Sequence, residues 1–122
     1  MAELRLSSAA ESDIVEILVH THENFGSEAR LRYECLLVTA LQDLAADPHR
    51  NGTIVRMDLA PDVRSYHLRH SRDRARHATG IVRRPRHLIL FRELRPALVG
   101  IGRILHDSMD LQRHLPSFID ED

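Results

Sequence analysis

The sequence contains no lysine and no tryptophan, one cysteine, and only 4% aromatic residues. A single cysteine, Cys35, excludes an internal disulfide and a cysteine-based zinc site. The longest run without a charged side chain spans only residues 35–42, far short of the roughly 20 apolar residues of a membrane-spanning helix. The opening Met1-Ala2-Glu3-Leu4-Arg5-Leu6 has no apolar signal core, so a cytoplasmic location is expected. Missing too are a phosphate-binding P-loop, a dinucleotide glycine motif and a nucleophile elbow.

What is present is a chain of 122 residues, 43% hydrophobic, the size of one domain and apolar enough for a core. Its 17 basic residues, all arginine, almost balance 18 acids. That balance hides two opposed halves. Residues 1–62 carry 5 arginines against 11 acids, residues 63–119 carry 12 against 4, and Asp120-Glu121-Asp122 closes the sequence.

The pattern predicts a single α+β domain over 1–122: an N-terminal strand, an antiparallel helical hairpin packed on a three- to four-stranded antiparallel sheet, and a short C-terminal helix. Leu4-Arg5-Leu6 marks a strand over 3–6. Ser8 and Glu11 have capping-box spacing, and Ala10, Ile14, Ile17, Leu18, Thr21 and Phe25 recur with helical period, giving a helix over 8–25. Gly26 ends it, Ser27 can cap a second helix over 27–47 with a stripe at Tyr33, Leu37, Ala40, Leu41 and Leu44, and Asp47-Pro48 stops that one. Asn51-Gly52 is a turn signal before a short extended piece at 53–57. Antiparallel strands follow over 63–106, at 63–70, 87–94 and 97–106, with Arg95-Pro96 as a turn and a polar, arginine-rich loop at 71–86. Ser108 caps the last helix, 108–115.

The basic segment is the most informative feature. Between residues 64 and 86 lie eight arginines and three histidines against the single acid Asp73. The guanidinium fork suits phosphate or carboxylate, so the segment reads as a surface for one or the other, against the alternative of a solvated loop in an arginine-biased protein. No metal site is expected: His20 and His22 diverge on a helix, and His67 and His70 on a strand. Arg103 and His106 end the last strand, where a phosphate clamp and an acid–base group would sit, but strict alternation faces them apart unless a bulge intervenes. Gly100 and Gly102 invite a close approach, and Cys35 reads as a buried, inert thiol.

Three stretches carry a resemblance to the ParE branch of the RelE/ParE superfamily of bacterial type II toxins, often described as plasmid stabilisation proteins. They are the opening Leu4-Arg-Leu-Ser-Ser-Ala-Ala-Glu-Ser-Asp-Ile, the strand Arg64-Ser-Tyr-His-Leu-Arg-His, and Ile101-Gly-Arg-Ile-Leu-His-Asp-Ser-Met-Asp-Leu. The resemblance implies a toxin neutralised by a ParD-like antitoxin, whose acidic C-terminal segment wraps the hairpin and sheet. On this chain the implied partner-binding residues are Ile14, Ile17, Leu18, Tyr33, Leu37 and Leu41, with Arg69, Arg72, Arg74, Arg76, Arg83, Arg84 and Arg86. It implies inhibition of DNA gyrase, no cofactor, no membrane and no catalytic set. The RelE branch instead cuts ribosome-bound mRNA, and Arg64, Arg84, Arg103 and His106 are the positions through which that alternative would operate. The chain departs from the family in its longer 71–86 loop and in Arg95-Pro96, where an Asp-Gly turn is usual.

Overall fold

A computed structural model describes residues 1–114. Two helices cross one face of a five-stranded sheet. The chain runs β1 (Glu3–Leu6), α1 (Ser8–Phe25), α2 (Ser27–Ala46), β2 (Thr53–Val55), β3 (Arg64–His67), a 3-10 segment (Leu68–Arg74), β4 (His87–Arg95), β5 (Leu98–His106) and a 3-10 turn (Leu111–His114). The sheet order is β1-β5-β4-β3-β2.

The α+β architecture and the hairpin agree with the sequence. The sheet differs from a three- to four-stranded antiparallel one: it has five strands and is mixed, because β1 runs parallel to β5. A four-residue strand cannot stand alone, and β1 finds its partner some 95 positions away, where Glu3 lies opposite Leu98 and Leu6 opposite Ile101.

Local boundaries differ from the expected ones by one to three residues. The cap of α1 is Ser7, not Ser8: extended at the end of β1, it accepts the Ala10 N–H at 2.9 Å, and its hydroxyl donates to the Gly102 carbonyl at 2.6 Å. Ser27 does not cap α2; Gly26 at φ +92° serves both helices, closing α1 through its N–H to the His22 carbonyl. The strand expected at 63–70 ends at His67, where the His67 ring caps a 3-10 segment, so part of the 71–86 loop is helical. The C-terminal helix begins only at Leu111, as a 3-10 turn, and residue 115 lies outside the described residues. The Asn51-Gly52 turn does form. Gly52 sits at φ +100°, and a Cβ there would meet the His70 ring at 2.7 Å.

Alternation along β4 and β5 builds a core on each sheet face. Ile89, Phe91, Val99, Ile101 and Ile104 join Tyr66 and the buried helix residues Ala10, Ile17, Leu36, Leu37, Ala40 and Leu44. On the other face, Leu90 and Leu105 pack with Leu59 and Val63, flanked by Leu88, Leu94 and Leu111. Ile101 and Ile104 both face the helices because of a bulge: Phe91 lies opposite Ile101 and Leu90 opposite Arg103, which leaves Gly102 as the extra residue. Gly100 accommodates a neighbour, since a Cβ there would lie 3.0 Å from the Leu94 side chain.

Candidate functional site

The 71–86 segment does not hang free. Asp43 of α2, 2% exposed, anchors it: its carboxylate accepts from Ser71 Oγ at 2.6 Å and pairs with Arg74 at 2.6 Å and Arg50 at 3.3 Å. Tyr66 Oη lies 2.7 Å from Ser71 Oγ and extends the network to the sheet. Arg72 donates to the Arg83 carbonyl at 3.0 Å, and Arg32 of α2 to Thr79 Oγ1 at 3.1 Å. A buried carboxylate with three donors fixes the backbone at both ends of the turn.

Between this segment and the ends of the helices lies a groove of about 990 Å3. Phe25, Ala29, Ile81 and Val82 supply apolar lining; Arg32, Arg76, Arg83, Arg84 and Arg86 supply charge; His20, Tyr33, His87 and His106 also line it. Arg86 is committed to Asp107 through Nε at 3.1 Å and Nη2 at 2.9 Å. The Arg86 guanidinium, helped by His67, holds the Asp107 carboxyl at about 2. Arg76, Arg83 and Arg84 are exposed and have no carboxylate partner among the described residues. Three unneutralised guanidinium groups beside apolar lining suit an anionic, partly apolar ligand.

One end of the groove is a chain of aromatic hydrogen bonds. The Arg86 backbone N–H donates to Tyr33 Oη at 3.3 Å, and Tyr33 Oη lies 2.5 Å from His87 Nδ1. Burial pushes the Tyr33 phenol up to about 12. Burial, then the neighbouring His106, pushes the His87 imidazole down to about 4. Both groups are neutral near pH 7, so the phenol donates to Nδ1 and the His87 proton sits on Nε2. The His106 ring packs edge-on against His87 at 5.3 Å, and its Nδ1 accepts the Ser108 N–H at 3.1 Å.

The residues singled out in the sequence divide sharply. Arg76, Arg83, Arg84, Arg86, Tyr33 and His106 come together in the groove. Arg69 and Arg72 lie outside it, and Arg74 is tied to Asp43. Arg64, paired within β3, does not reach it. Arg103 does not meet His106. The bulge at Gly102 precedes Arg103 and leaves the two on opposite faces, and the Arg103 guanidinium turns to Asp13 of α1 at 2.8 and 2.9 Å. Of the hairpin residues, Ile17 and Leu37 are buried core, while Ile14, Leu18 and Leu41 are partly buried against it. The exposed apolar side chains of the hairpin are Val15, Val19, Phe25 and Val38. Sequence reasoning missed His87, Tyr33's hydrogen bond to it, and Asp43. Only the register of β4 against β5, His87 opposite His106, reveals the first.

Among the described residues no group of three or more His, Cys, Asp or Glu side chains is placed to hold a metal ion, and no helix is long and apolar enough to cross a membrane. A strand, a helical hairpin and a mixed sheet beside an arginine-lined groove make this a small α+β domain. Residues 4–111 match the family model described as the ParE toxin of the type II toxin–antitoxin system, parDE, and the chain belongs to that family. No curated protein matches the chain.

Proposed function

We propose that this chain is a cytoplasmic toxin, neutralised by a ParD-like antitoxin whose acidic segment lies in the groove and along the hairpin, and that it inhibits DNA gyrase by binding. One observation carries the antitoxin reading: Arg76, Arg83 and Arg84 line the groove without carboxylate partners among the described residues. A disordered acidic peptide supplies the missing charge and orders on binding. Membership of the ParE family supports gyrase as the target. So does the dispersal of the nucleolytic set, with Arg103 engaged by Asp13 and Arg64 away from the groove. The decisive experiment is a supercoiling assay with purified gyrase. Inhibition that disappears when antitoxin is added is expected; unchanged supercoiling at excess toxin overturns the gyrase target.

A second reading, cleavage of ribosome-bound mRNA, is favoured by the neutral His87 beside His106 at the end of the arginine groove. There a base and an acid would flank a phosphodiester. Expression without antitoxin separates the two. A DNA-damage response follows from gyrase inhibition, whereas translation arrest abolished by His106→Ala follows from cleavage.

A further inference from the structure

The side chains that line the groove donate hydrogen bonds and accept few. No aspartate or glutamate is among them. The three imidazoles that line it have each spent Nδ1 as an acceptor inside the protein. His20 takes the Asn24 side-chain amide at 3.2 Å, His106 the Ser108 N–H at 3.1 Å, and His87 the Tyr33 phenol at 2.5 Å. The Asn24 amide is oriented by its second bond, to the His20 carbonyl at 2.9 Å. Each neutral ring is left with its Nε2–H, a donor. Thr79 is spent as well: its hydroxyl accepts from Arg32 at 3.1 Å and donates to His77 Nδ1 at 3.0 Å.

Charge follows the same pattern. Arg32, Arg76, Arg83 and Arg84 line the groove, and none has a carboxylate partner among the described residues. The space they border, about 990 Å3, falls at the upper end of small-ligand sites. Carboxylates bring one charge each, spaced along a chain, whereas a triphosphate carries about four on three adjoining groups. Beside the cations the lining is apolar, with Phe25, Ile81 and Val82. Phe25 is 71% exposed, and an open phenyl ring at the rim of a cationic groove is a stacking platform for a planar base.

We propose that the groove binds a nucleoside triphosphate, its phosphates held by Arg76, Arg83, Arg84 and the imidazole Nε2–H groups and its base resting on Phe25. With donors all round, the groove favours the fully ionised phosphate chain, whose oxygens only accept. The site goes beyond the antitoxin reading and shares with it the anion-binding arginines, so nucleotide and acidic segment exclude one another. Capture of the free protein by an acidic partner then depends on the nucleotide concentration.

Titration calorimetry of the full chain with ATP, tripolyphosphate, adenosine and hexaglutamate, at low salt and without divalent cations, tests this. ATP is expected to bind about three- to tenfold more tightly than tripolyphosphate, the margin of one stacked base, and adenosine not to bind. Arg83→Gln/Arg84→Gln should weaken ATP and tripolyphosphate alike, by about tenfold or more. Phe25→Ser should remove the advantage of ATP and leave tripolyphosphate unchanged. All three altered positions are exposed, so the fold is kept. ATP no tighter than tripolyphosphate, or indifferent to Phe25→Ser, overturns the nucleotide and leaves a site for bare polyphosphate. Unaltered affinity in Arg83→Gln/Arg84→Gln puts the phosphates elsewhere and overturns the proposal. Hexaglutamate bound without ATP overturns it too, while the carboxylate reading stands. ATP bound without hexaglutamate upholds it and overturns the carboxylate reading, and binding of neither overturns both.

Discussion

Arg103 grips Asp13 with two nitrogens on two carboxylate oxygens, at 2.8 and 2.9 Å, and the same carboxylate accepts the Ile104 N–H at 2.9 Å. Where β1 stops at Leu6, the rim of β5 would be left with open backbone groups; Ser7 and Asp13 of the hairpin segment close it. An arginine whose place at the end of the last strand suggested a phosphate clamp is thus a clasp between helix and sheet.

Asp13→Asn and Arg103→Ala should each lower stability by about 2–3 kcal/mol, since either leaves a mostly buried partner without its counter-charge. Urea unfolding measures this. Toxicity should fall only as far as the folded fraction falls. An unchanged midpoint together with lost toxicity would return Arg103 to the functional surface.

The His87 imidazole, at about 4 against 6.5 in an unfolded chain, makes the folded protein the weaker proton acceptor between those values. Stability is therefore complete above 6.5 and declines as pH falls towards 4, by roughly 2–3 kcal/mol. Asp107 adds a lower window: its contribution is present above 3.8 and is lost as pH falls through about 2. His87→Gln, which keeps an acceptor for Tyr33, should flatten the 4–6.5 slope in thermal melts. A slope of undiminished size assigns it to another group.

Asp43→Asn should cost about 2–4 kcal/mol, because Arg74, Arg50 and Ser71 all converge on a carboxylate that is 2% exposed. It should also free the 3-10 segment, read as faster amide exchange at residues 71–76. Exchange equal to that of the unaltered protein would mean the sheet alone holds the loop.

Arg83→Glu and Arg84→Glu should leave stability within about 0.5 kcal/mol, as exposed residues without ion pairs among the described residues do. They should weaken antitoxin binding at least tenfold, with a shallower dependence on salt. Titration calorimetry across a salt series checks it. Unaltered affinity would move the binding energy to the exposed Val15, Val19 and Val38 of the hairpin.

Much of this was legible beforehand. Both helices announced themselves through periodicity, Gly26 and Pro48, and the arginine cluster through its local density. Capping was misread by one residue because Ser7 and Ser8 are equally good chemically; the choice is made by the Gly102 carbonyl, far along the chain. The position of β1 depended on the same kind of distant pairing. For the site, composition pointed to eight arginines but not to which are spent: Asp43 and Asp107, which claim Arg74 and Arg86, lie 31 positions before the one and 21 after the other. The neutral state of His87 follows from burial and from the neighbouring His106, which one-dimensional spacing does not express.

The parallel seam between β1 and β5 also has a bearing on how the protein is born. Residues 3–6 leave the ribosome before the other elements of the sheet, yet their ladder waits for residues 98–101. At about 5–20 residues per second, β1 waits roughly 5–20 s for its partner, and the finished hairpin roughly 3–10 s. The last strand is thus both an interior strand of the sheet and its timer, so the sheet is complete only once residues 98–106 have been made. Nascent chains stalled at residue 95 should be cut by protease within α1 and α2, and chains stalled with residues 98–106 outside the tunnel should resist.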